Sequence, residues 1–425
     1  MQLINNCFVL LLVFCSMSVF AEPNEEAQNL LSLKKAIKLG LEYNPSARAL
    51  EIERETASAI KMQQSSSPAP GISIGVDEVA GSGQFAGTRS MKSFVGLSQR
   101  FMTAGKLSIQ KKIAEADEKA AISEISENRM SFLQQTGEQF FKIVFLEKQL
   151  ELASQTLQLA QQSFEAVEKR LIAGDIPAID LTRSKVNQSI AETSFRKARR
   201  ELETAQKSMA ASWNHSSFDY SATYIESADF FNFKFEDDSI DSASVNHPAA
   251  LKASAAFNRA DLERKLALAA RTPDLIFKAG VSRFKESGNH ASSFEVELDI
   301  QSTREIRGKK LAASAGLEKA KLYKQSIETQ IKVQLLTLKQ EIILIREEIA
   351  SFRSNIMPAA EQAMHDSSVA YREGEQSLMD IFDTRKTMIE AAETEALLYH
   401  ELFNRVFLYA ILTGRENELF NEKGK

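Results

Sequence analysis

Cysteine is nearly absent: the 425 residues hold two, Cys7 and Cys15, and none beyond. Both fall in or beside a short apolar run, residues 8–20 (FVLLLVFCSMSVF), which ends at Ala21. Val19-Phe20-Ala21 suits a signal peptidase, and the run is too short to span a bilayer. Two features depart from the usual pattern: no Lys or Arg precedes the run, and Phe14 stands where a lipid-attachment cysteine wants a small neighbour. Cleavage after Ala21 is the expectation, with 1–21 as signal peptide. The exported chain then has no disulfide framework and no thiol chemistry.

Other absences narrow the function. No later segment has the 18 or so consecutive apolar residues of a membrane helix, which leaves a soluble chain and a membrane β-barrel both open. With 52 Lys+Arg against 57 Asp+Glu the formal charge is -5, so the basic surface of a nucleic-acid binder is not expected. The five histidines, His215, His247, His290, His365 and His400, show no metal-ligand spacing. There is no G-x-S-x-G, no P-loop and no H-E-x-x-H, so no enzyme, cofactor or bound metal is expected.

What is present is periodicity. Ile143, Leu150, Leu157, Phe164 and Leu171 recur every seventh residue, with Leu146, Ala153, Ala160 and Val167 between them. This heptad predicts a helix over 105–172, on the order of 100 Å long at 1.5 Å per residue. Gly174 ends it, since glycine adopts left-handed backbone angles cheaply. A return helix follows to about residue 212. Residues 22–29 read as a mobile leader and 30–64 as helical, with a break at Asn44-Pro45. Strands with alternating apolar residues are predicted at 71–79 and 93–101.

The plan then repeats. Pro248 answers Pro45, Pro273 answers Pro70, and Gly308-Lys309 answers Gly105-Lys106, all at one interval. Gly374 answers Gly174, and both open the spacing G-x5-D-[L/I] that leads to Asp180 and Asp380. The expected divisions are a first repeat (22–215), an acidic, aromatic-bearing connection (216–244), a second repeat (245–414) and a disordered tail (415–425). The second repeat is expected to hold strands 274–284 and 293–301 and a helix in heptad register that Pro358 kinks. Each strand has the length that crosses a bilayer when tilted. Four strands cannot close a barrel, and an open edge cannot sit in lipid, so several copies must pool their strands.

On these features the sequence resembles the TolC-type outer membrane efflux proteins. The duplicated G-x5-D tip, Asn44-Pro45, the strand running into Gly105-Lys106, and Pro358 before Tyr371-x-x-Gly374 carry the likeness. The Asn44-Pro45 element and the Gly-Lys junction look most like the CzcC-like cation-efflux branch. The resemblance implies a mainly α fold with a small β-barrel: a homotrimer whose 12-stranded barrel in outer-membrane lipid continues into an α-helical tunnel across the periplasm. It also implies partners, a periplasmic adaptor (membrane fusion) protein and an inner-membrane pump of the RND type. Drug efflux, type I protein secretion and, in another class, a periplasmic coiled-coil scaffold are the alternatives.

Three groups of residues are candidate sites. Gly174 and Gly374 are turn residues, and by the resemblance they meet the adaptor. Asp180, Asp380 and Asp383 follow the tips; they are either helix-start carboxylates, favoured by the helix dipole, or a carboxylate ring at the tunnel mouth. Glu295, Glu297 and Asp299 form the clearest polar strand face, either a wet barrel interior or a cation-attracting exit.

Overall fold

The computed structural model describes residues 30–236, 239–373 and 375–420. The expected signal peptide, the leader and Gly374 lie outside the described residues. Strand β1 (Leu30–Ser32) precedes α1 (Leu33–Tyr43) and α2 (Pro45–Gln64). Residues 30–32 are thus a strand rather than the helix expected there: they pair in parallel with β4 (Ala222–Tyr224). A three-residue bridge to a distant segment leaves no periodic trace in sequence.

Asn44 explains the break between α1 and α2. Its side-chain oxygen accepts from the N–H groups of Ser46 (2.8 Å) and Ala47 (3.2 Å), while its amide donates to Ser212 O (2.6 Å). Pro45 then occupies the first helical turn, where its missing N–H costs nothing. The second repeat solves the same problem with a different residue. His247 Nδ1 accepts from Ala249 N at 3.1 Å, and Pro248 opens α7 (Pro248–Ala269).

The two long hairpins dominate the molecule. The first is α3 (Lys106–Ala173) with α4 (Ala178–Ser212). The second is α8 (Thr303–Ser351) and α9 (Met357–Arg372) with α10 (Leu378–Thr413). On α3, Ile143, Leu146, Ala153 and Val167 are buried as the heptad requires. A second buried stripe, Leu152 and Leu159, packs on Ile389 of α10. On α8 the buried set is Ile331, Leu335, Leu338, Ile342, Ile345 and Ile349. The heptad then loses the core, because residues 352–356 form a π-helical turn and Ile356 faces out. Pro358 lacks an N–H and its ring crowds the preceding turn, and the helix relieves this by widening just ahead of it.

The aromatic core sits at mid-length. Phe140, Phe141, Trp213, Phe230, Phe407 and Tyr409 are almost fully buried. The connection folds onto this core through α5 (Ser227–Phe231) and α6 (Ser239–Asn246). Arg346 of α8 donates to the carbonyls of Phe230 and Phe233, each at 2.9 Å. Glu147 of α3 accepts from Thr223 N and Oγ1, and burial still pushes its carboxyl above the ordinary range. The tail corrects the expectation of disorder over its first part: Glu416–Leu419 is a 3-10 turn, Leu419 is buried, and Arg415 binds Glu418 and Lys234 O. Residues 421–425 lie outside the described residues.

Strands β2 (Gly71–Asp77), β3 (Lys92–Phe101), β5 (Asp274–Phe284) and β6 (His290–Asp299) form one antiparallel sheet in the order β2-β3-β5-β6. β2 ends two residues short of the expected 79, and β6 begins three before the expected 293. No helix among the described residues is long and apolar enough to cross a membrane.

Candidate functional site: the sheet and the hairpin tips

The sheet leaves a whole apolar face exposed. Alternation puts Ile72, Ile74, Val95, Leu97, Phe277 and Val296 on one face, and all are exposed, Ile74 at 78% and Phe294 beside them at 86%. Apolar side chains at such exposure lose the burial that stabilises a strand in water, so this face suits an apolar solvent or a partner. The opposite face carries Ser73, Ser98, Lys278, Glu295, Glu297 and Asp299. β2 and β6 each have one unpaired edge.

Glu295, Glu297 and Asp299 do share that polar face, but they are not a bare acidic row. Lys278 Nζ lies 3.1 Å from Glu295 Oε1 and 2.6 Å from Glu297 Oε2. Arg100 binds Asp299. The acidic pattern of β6 is visible in its own sequence. The cations answering it sit on β5 and β3, and only the register across strands brings them opposite.

At the first tip Gly174 has φ 82°, a left-handed conformation, and its N–H and that of Asp175 close on Leu171 O and Arg170 O, each at 3.0 Å. Asp180 lies in the first turn of α4, with Arg183 at 3.7 Å. The second tip closes α9 in the same way, with Glu375 N on Ala370 O at 2.8 Å, but its return helix is capped differently from α4, which has no side-chain cap. Ser377 caps α10, accepting from Asp380 N at 3.3 Å, and Asp380 Oδ2 accepts from Ser377 N (2.8 Å) and Oγ (2.7 Å). This reciprocal box satisfies two helix-end donors, and the Ser377 hydroxyl and backbone N–H hold the Asp380 carboxyl below its ordinary range. Asp383 is exposed one turn further on.

The tips are not level. Ser163 Oγ lies 3.8 Å from Met379 Sδ, so α10 starts well above the end of α3. Counting from that contact, the second tip falls short of the first by on the order of 10 Å at 1.5 Å per residue. Asp380 and Asp383, three residues apart on α10, share one helix face, and by this offset Asp180 stands apart, nearer the far end. Among the described residues no three of His, Cys, Asp and Glu gather as a metal site.

Known proteins share this fold. Residues 36–215 match the family described as outer membrane efflux protein. The cobalt-zinc-cadmium resistance protein CzcC of Cupriavidus metallidurans is 24% identical over 373 residues, covering 86% of each chain. Among solved structures, CusC superposes with a TM-score of 0.79 at 15% identity, covering 92% of this chain and 95% of that one. VceC of Vibrio cholerae gives 0.75 at 16%, covering 92% and 97%. The CmeC outer membrane channel of Campylobacter jejuni gives 0.72 at 16%, covering 90% and 86%.

Proposed function

We propose that the chain is a member of the outer membrane efflux protein family, which residues 36–215 match, and that it is the passive outer-membrane exit duct of a tripartite efflux system for heavy-metal cations. The observation that carries the reading is the sheet, apolar on one face, polar on the other and open at both edges. An open edge in lipid leaves backbone groups unsatisfied at several kcal/mol each, so β2 of one copy pairs with β6 of the next. Three copies supply twelve strands. The apolar face then meets lipid, and the polar face meets water in the lumen. The hairpins continue the lumen as a helical tunnel toward the periplasm.

The tips at Gly174 and Gly374 are where a periplasmic adaptor docks, coupling the duct to an inner-membrane pump that supplies the energy. Asp380 and Asp383, near one another on each of three chains, narrow the mouth, and Asp180 lies at the docking end. Replacing Asp380 and Asp383 together should raise passive conductance in planar bilayers; a wild-type conductance would move the gate elsewhere.

The metal assignment rests on the likeness to CzcC. Deleting the gene should lower tolerance to cobalt, zinc and cadmium, and a plasmid copy should restore it. Unchanged tolerance to all three, with increased drug sensitivity or a blocked protein export, would favour the rival cargo.

A further inference from the structure

The polar face of the sheet carries a charge pattern that no single strand reveals. Five carboxylates lie on it: Asp77, Asp274, Glu295, Glu297 and Asp299. Each has a cation. Lys92 stands 3.7 Å from Asp77 at one end of the sheet, while Arg100 and Lys106 serve Asp299 and Asp274 at the other. Lys278 is the cation of the middle, and it serves two acids at once, Glu295 at 3.1 Å and Glu297 at 2.6 Å.

Those two acids are neighbours on one face of β6, roughly 7 Å apart along the strand. Without a cation between them, two like charges at that spacing raise each other's energy and make the surface strongly negative. With Lys278 in place, two carboxylates and one ammonium leave a single negative charge per chain at this height. Without it there are two. Lys278 is still 39% exposed, so its charge acts on the space in front of the sheet as well as on its partners.

Resting on the reading of this face as the lumen, we infer that Lys278 sets the electrostatic potential of the duct at mid-barrel. It is a specificity-determining residue, which keeps the acidic strand from making the barrel strongly cation-selective. Cargo of either sign then meets a weak field there, and directionality comes from the pump rather than from the barrel wall.

Ser98 offers a local reporter, because it stands directly opposite Lys278 on β3 on the same face. With Ser98→Cys in the assembled protein in liposomes, the rates of modification by a cationic and an anionic membrane-impermeant methanethiosulfonate read the potential there, whatever the state of the periplasmic mouth. Adding Lys278→Met should raise the cation-to-anion rate ratio by roughly five- to tenfold at low salt, and the rise should shrink in molar salt. Lys278→Arg should leave the ratio near that of the parent. Glu295→Gln/Glu297→Gln should move it the opposite way, and this pair decides the matter if Lys278→Met does not assemble. A ratio unmoved by either change, with the introduced thiol reacting freely, overturns the role of Lys278. An introduced thiol inert to both reagents in the folded protein overturns the lumen assignment itself, and the inference with it.

Discussion

The two repeats leave the sheet by different routes. In the first, β3 runs through a turn into α3, with Gly105 at φ 71°. Thr103 N and Lys106 Nζ both reach Asp274 Oδ1, at 3.2 and 2.8 Å, and Lys106 also donates to Thr272 O at 2.6 Å. Lys106 and Asp274 are both nearly buried. In the second, α8 starts earlier, at Thr303 with Ser302 as its cap, so Gly308-Lys309 lies inside the helix instead of opening it. Lys309 pairs with Glu305 and Gln301 on the surface. The position that answers Asp274 in the first repeat is Gly71, which has no carboxylate to offer. The strand beside the first junction belongs to the same chain, and in the proposed barrel the one beside the second comes from another copy. The same Gly-Lys occurs twice, and within one chain the first is the one tied to a neighbouring strand.

The largest expected effect tests that asymmetry. Asp274→Ala leaves the nearly buried Lys106 ammonium without its carboxylate, and should cost about 2 to 4 kcal/mol of barrel stability, given what broken buried pairs cost. Lys309→Met should cost under about 0.5 kcal/mol, as exposed pairs do. The temperature at which the unheated gel band converts to the heated one reads both. Equal losses would mean that the two junctions are equivalent.

The tips extend the comparison. Gly174→Val forces a β-branched residue into the left-handed region, and should destabilise the first tip by about 2 kcal/mol or more. Ser377→Ala removes a cap at the second tip and should cost about 1 kcal/mol. Amide hydrogen exchange of the two tips separates these effects.

A pH effect should appear at the second tip. The Asp380 carboxyl is held below its ordinary value by Ser377, so its contribution is complete above the unfolded-state value and is lost as pH falls through the folded one. A spin label at Gln376→Cys should gain mobility in that acidic window, and in Asp380→Asn it should be mobile throughout. Mobility that ignores pH in the parent would remove the capping role. The smallest effect expected is from Asp180→Asn, whose exposed pair with Arg183 is worth under about 0.5 kcal/mol in thermal melts.

Much of this architecture was legible in the sequence, because its determinants are local and periodic. Heptads marked α3 and α8, alternation marked the strands, and the recurrent Gly174 and Pro45 patterns marked the repeats. What was hidden depends on partners far along the chain. The β1–β4 bridge joins residues 30 and 222. The cations beside Glu295, Glu297 and Asp299 come from strands paired in register. The second seam on α3, at Leu152 and Leu159, exists because α10 packs there as well as α4. Asp380 shows the same limit at close range: its place after the tip left a helix-start carboxylate and a mouth ring both open, and Ser377 three residues earlier was the signal for the reciprocal cap.

The central claim is that the four strands are one third of a closed barrel. The direct measurement is the mass of the protein extracted from outer membranes in mild detergent, by light scattering, together with its strand content by circular dichroism. Three copies per particle, with strand content lost when the particle is dissociated by heat, is the predicted result. A monodisperse single chain that keeps its full strand signal would contradict it.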